Sequence, residues 1–139
     1  MTDSLTAAAL LDHCRAVLAA AERLHGSAAR AIATLVGPGG KTDPALLERH
    51  QFAAHGLAWQ ATYIEALRQT LGWARALHAA GNFTDVEAAI LRLGFAEYLS
   101  QLAGGIPISQ TEMIRPTDIG VPAQAVLALL THPALARLS

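Results

Sequence analysis

Six histidines, one cysteine and a Gly-Lys-Thr run are the residues here whose types could do chemistry. Glu22-x-x-His25 has the spacing by which di-iron helical bundles present a carboxylate and an imidazole to one centre. Such a centre needs a second Glu-x-x-His and further inward carboxylates, and the sequence supplies neither. A solvated helix face near Gly26 is the preferred reading. His50 and His55 are five residues apart, about 140° around a helix, too far to share one ion easily. Cys14 falls among apolar residues at helical spacing, where a buried thiol acts as a small hydrophobe with a raised pKa and makes a poor nucleophile. Gly37-Pro38-Gly39-Gly40-Lys41-Thr42 ends like a phosphate-binding loop but lacks that motif's first glycine. It is expected to join two helices, whereas the phosphate-binding motif follows a strand. No catalytic, cofactor-binding or metal-ligating residue is assigned from this chemistry.

Trp59, Tyr63 and Trp73 could line a flat ligand site, but their helical spacing favours bundle core or subunit contact. Beside them Glu65, Arg68 and Gln69 form a polar line, either facing solvent or paired in a buried network.

The elements that must position these residues are helices. Of the 139 residues, 53% are hydrophobic, 15% charged and only 5% aromatic. Much of the apolar fraction is alanine and leucine, which favours close helix packing over a sheet core. The expected fold is all-α, a small helical bundle with two or three long antiparallel helices and a short C-terminal helix after an irregular segment. A first helix is expected from about Ser4 to Val36, bent at Gly26-Ser27 and ended by Gly37–Gly40. Thr42-Asp43-Pro44 starts a second, with nothing to break it before Gly81-Asn82, so it would be a spine of some 35 residues, about 50 Å long. This spine carries two apolar stripes, one through Leu57, Ala61, Ile64 and Leu71, the other through Phe52, Trp59, Tyr63, Ala66, Trp73 and Leu77. Thr84-x-x-Glu87 is a capping box opening a third helix, with Val86, Ile90, Leu93, Tyr98 and Leu102 as its apolar residues and Gly104-Gly105 as its end. Ile106-Pro107-Ile108 reads as extended, Ser109-x-x-Glu112 as a short helical turn, Pro122–Leu130 as an apolar helix, and Thr131-His132-Pro133 as the start of a last turn reaching Ser139. Residues 1–139 read as one domain, without repeat or linker.

A formal net charge of −1 gives no attraction for nucleic acid or anionic lipid. The apolar runs are too short to span a bilayer, which takes roughly 20 residues, so no membrane partner is expected either. One cysteine and no secretory leader make the cytoplasm the default setting.

Three stretches say more in sequence than in chemistry: the run from His50 to Gln69, Phe95-Ala96-Glu97-Tyr98-Leu99, and Gly104-Gly105-Ile106-Pro107-Ile108-Ser109-Gln110. Together they resemble the N-terminal extension of methylsuccinyl-CoA dehydrogenases, an unusual branch of the acyl-CoA dehydrogenase family. The resemblance runs in order from Leu11–Arg15 to Ile119-Gly120. It implies a parent enzyme that binds FAD and oxidises an acyl-CoA thioester, with a glutamate taking the α-proton. That machinery belongs to a larger C-terminal portion, so no catalytic or flavin-binding residue is carried over and no cofactor is expected in this chain.

The expectation is therefore a non-catalytic accessory domain that packs on the catalytic acyl-CoA dehydrogenase portion or on a second copy of itself. The candidate interface comprises Phe52, Trp59, Tyr63, Trp73, Leu127 and Leu130. A different reading is a stand-alone homodimer holding a small apolar or aromatic ligand, with Tyr63 and Arg68 as polar anchors. A complete small enzyme ranks last, for want of an acid–base or metal constellation.

Overall fold

In the computed structural model, which describes residues 6–138, the Thr6 side chain accepts from Ala9 N at 3.3 Å and opens α1 (Ala7–Val36). This helix runs unbroken through Gly26 and Ser27, a single glycine costing only about 1 kcal/mol. The expected start at Ser4 and end at Ser139 lie outside the described residues. Leu10, Cys14, Val17, Ala21, Leu24, Ala28 and Ile32 repeat every three or four positions and form its buried face. The Gly37–Gly40 loop then turns the chain, with Gly40 at φ +82° and Asp43 N donating to Val36 O at 2.8 Å. It joins helix to helix, as expected.

Asp43 Oδ1 accepts from Ala45 N at 2.8 Å and caps the next helix. The 35-residue spine expected there is instead two elements, α2 (Pro44–Arg49) and α3 (Gln51–Ala79), divided at His50 (φ −111°, ψ 22°). No glycine or proline marks the break. α2 has no fully buried residue, only Leu46 being half-buried, so little holds its axis in line with that of α3, whose burial begins at Ala53.

The two-stripe expectation for the spine is also corrected. α3 buries one stripe, Ala53, Gly56, Gln60, Ile64, Leu67, Leu71 and Ala74, while Leu57 and Ala61 of the first expected stripe are only half-buried. The aromatic stripe lies along its flank.

Gly81 (φ +73°) turns the chain into α4 (Asp85–Gly104). The capping box is present: Glu87 Oε2 accepts from Thr84 N at 2.8 Å, and Thr84 Oγ1 from Val86 N at 3.3 Å. α4 buries Leu91, Phe95, Leu99 and Leu102. Of the other apolar residues of this helix, Val86, Ile90 and Leu93 stand in solvent. The helix is apolar on two sides, and the core takes the side that carries Phe95.

After α4, Gly105 (φ +138°) leads into β1 (Ile106–Pro107), which pairs antiparallel with β2 (Met113–Ile114), Ile106 opposite Ile114. The helical turn expected at Ser109–Glu112 is the tip of this hairpin. Ser109 Oγ accepts from Glu112 N at 3.1 Å, and Ile108 N donates to Glu112 O at 3.0 Å. A 3-10 turn (Pro116–Ile119) and left-handed Gly120 (φ +74°) follow, then α5 (Ala123–Leu130) and a second 3-10 turn at Leu135–Arg137, later than expected. The segment from Gly105 to Val121 forms a strap over the bundle. A Cβ on Gly56 would lie 2.7 Å from Ile114 Cγ2 and 3.0 Å from Ile119 Cγ2, and one on Gly120 only 2.7 Å from Ala31 Cβ. Missing side chains thus seat the strap on α3 and α1. The buried residues from Leu10 to Leu138 form one connected core. No helix among the described residues is long and apolar enough to cross a membrane.

Candidate functional site

Glu22 and His25, the pair with metal-site spacing, turn to different partners. Arg68 Nη2 donates to Glu22 Oε1 at 2.7 Å, while His25 Nδ1 lies 2.8 Å from Oε1 of Gln60, which is fully buried. Among the described residues no three of His, Cys, Asp and Glu gather as a metal cluster would. His55 Nε2 accepts from Trp59 Nε1 at 2.9 Å and is likewise engaged.

The polar line of α3 is a solvent-facing network. Arg68 pairs with Glu22 across to α1 and with Glu65 on its own helix, and Gln69 Nε2 donates to Glu65 Oε1 at 2.7 Å. The Gln69 hydrogen bond, aided by Arg68, holds the Glu65 carboxyl below its ordinary pKa, and Glu22, with Glu65, pushes Arg68 up. Cys14 is fully enclosed, and burial pushes its thiol up to about 12 against a smaller opposing pull from Arg92. Such a thiol is not a nucleophile near neutral pH.

The six candidate interface residues lie in different surroundings. Tyr63 is half-buried on the side of α3 that faces α4, stacked on Tyr98 with ring centroids 4.6 Å apart, its hydroxyl donating to Gln101 Oε1 at 2.6 Å. Burial, then the neighbouring Tyr98 and Glu97, raises its pKa. Trp59 is half-buried beside His55, and Trp73 is exposed further along α3. Phe52 lines an open groove of about 570 Å³ with Leu47, His55, Ile108 and Glu112, between the α2–α3 break and the hairpin tip. Leu127 and Leu130 line another, of about 510 Å³, with Ala103, Gly104, Val126 and Arg115, where α4, the strap and α5 meet.

Sequence reasoning missed Tyr98 and Gln101 as partners of Tyr63, and Arg115 at the α5 groove, because each pairing crosses between elements. It also missed the outer face of α4, whose signal was present in the spacing of its apolar residues.

Neither groove fits a flavin dinucleotide. The first offers Glu112 as its only charged lining residue and the second a single cation, Arg115, where a pyrophosphate needs several donors.

No protein-family model matches the chain. It is 47% identical over 113 residues to (2S)-methylsuccinyl-CoA dehydrogenase from Cereibacter sphaeroides, a match that covers 78% of this chain and 21% of that protein. The resemblance read from the sequence is thereby shown: the chain is similar, over most of its length, to about a fifth of a methylsuccinyl-CoA dehydrogenase.

Proposed function

We propose that this chain is a non-catalytic helical accessory domain of a FAD-dependent acyl-CoA dehydrogenase of the methylsuccinyl-CoA type, acting in the cytoplasm to support assembly or cover the catalytic portion. The observation that carries this reading is the 47% identity to one fifth of such an enzyme. Exposed apolar residues on α3, α4 and α5 add to it, since a small domain leaves such residues in solvent when a partner covers them. The flavin and the catalytic glutamate are assigned to the rest of the parent enzyme.

The stand-alone ligand-binding reading loses its anchors, because the Tyr63 hydroxyl is committed to Gln101 and Arg68 to Glu22 and Glu65. Native mass spectrometry of the chain, alone and mixed with the catalytic portion of a methylsuccinyl-CoA dehydrogenase, tests the proposal. A stoichiometric complex with flavin only on the catalytic portion is expected. A chain that ignores that portion and retains a small molecule of its own would overturn it.

A further inference from the structure

Val86, Ala89, Leu93, Ala96, Ser100 and Ala103 are spaced 3, 4, 3, 4, 3 along α4, the heptad repeat of a coiled-coil seam. Little within the described residues covers this seam: Val86 and Leu93 are 64% and 70% exposed, Ala89, Ala96 and Ser100 are exposed, Ile90 beside them is 49% exposed, and only Ala103, at the α5 groove, is half-buried. It carries no charge over 18 residues, about 27 Å of helix.

We propose that α4 pairs antiparallel with α4 of a second copy of this chain. The seam is complementary to itself in that direction. With a twofold axis between Gly94 and Phe95, Val86 falls opposite Ala103 of the second copy, Leu93 opposite Ala96, and Ala89 opposite Ser100. Each large residue meets a small one, the alternation that lets two helices interlock without overpacking. A parallel pairing would set Val86 on Val86 and Leu93 on Leu93, leaving the alanine layers underfilled.

Charge agrees with the same register. Asp85, exposed at the start of α4, arrives at the level of Gly104 of the second copy, which borders the groove lined by Arg115, Leu127 and Leu130. Neither Asp85 nor Arg115 forms an ion pair with any described residue. The pairing gives each a partner and lets Val86 cover the exposed Leu127 and Leu130.

This inference does not rest on the dehydrogenase reading, and its test uses the chain alone. Sedimentation velocity at about 100 µM is expected to show a dimer. Leu93→Glu, a change in solvent within the monomer, is expected to weaken it at least about a hundredfold with unchanged circular dichroism. Asp85→Arg is expected to weaken it about tenfold, and Asp85→Arg with Arg115→Asp to restore it. A monomeric wild-type chain at that concentration, or a dimer indifferent to Leu93→Glu, overturns the inference. So does a monomer whose complex with the catalytic portion is abolished by Leu93→Glu, a result that leaves the accessory-domain proposal standing.

Discussion

The two ends of the bundle are finished in opposite ways. At the strap end, Ile106, Ile114, Ile119 and Val121 are buried and backbone approaches so closely that Gly56 and Gly120 have no room for a methyl group. Toward the α3–α4 turn, Trp73, Val86, Ile90 and Leu93 project into solvent, and Gly72 has nothing within 4 Å of a built Cβ. At the first end the strap's inner face is sealed by the chain itself, and the exposed apolar residues there, Leu47, Phe52, Leu127 and Leu130, border the two grooves. At the second, the exposed face of α4 lacks such contacts.

The sharpest test contrasts two residues of α4. Phe95→Ala empties a fully enclosed site and is expected to cost about 3–5 kcal/mol, while Leu93→Ala, two residues away, is expected to stay within about 0.5 kcal/mol at concentrations where the chain is monomeric. Urea unfolding of both variants measures this; similar losses would remove the distinction.

Cys14 probes the closed core by pH. Burial raises the thiol from 9.0 to about 12, so the folded state holds the proton more tightly. The associated stability is fully present below about pH 9 and is lost as pH rises toward 12, by at most about 4 kcal/mol. Wild type should therefore lose more stability than Cys14→Ala over that range, and parallel curves would show the thiol to be solvated.

Glycines in α3 divide the same way. Gly56→Ala forces a methyl into Ile114 and should cost about 1–3 kcal/mol, whereas Gly72→Ala should gain about 0.5–1 kcal/mol from helix propensity alone. Thermal melts decide it, and a neutral Gly56→Ala would mean that the strap shifts freely.

The smallest effect is at the open end. Thr84→Ala removes the α4 cap at about 1 kcal/mol. The Thr84 hydroxyl, then its backbone N–H, holds the Glu87 carboxyl below its ordinary pKa. That contribution is present above the ordinary carboxylate range and lost as pH falls through the lowered value, so the gap between wild type and Thr84→Ala should narrow in acid.

Helix existence was legible in the sequence because caps and glycine stops are local: Asp43-Pro44, Thr84-x-x-Glu87 and Gly104-Gly105 each act within one turn. The break at His50 was not, since it depends on where burial begins rather than on any breaker residue. The apolar face of α4 that would be buried was not legible either, because Leu91-Phe95-Leu99 and Val86-Ile90-Leu93 have the same period and only tertiary packing chooses between them. Of the candidate interface, Phe52, Trp73, Leu127 and Leu130 are exposed, while the placement of Tyr63 against Tyr98 and Gln101 required knowing that α4 returns beside α3.

The division at His50 has a kinetic consequence. With no fully buried residue, α2 is held by its Asp43 cap, its own backbone ladder and the partial burial of Leu46, so opening it exposes little apolar surface. Its amides should exchange with solvent at nearly the rate of local fraying, far ahead of those in α1 and α3, and a protease should make its first cut between Lys41 and His50 while the rest of the bundle stays folded.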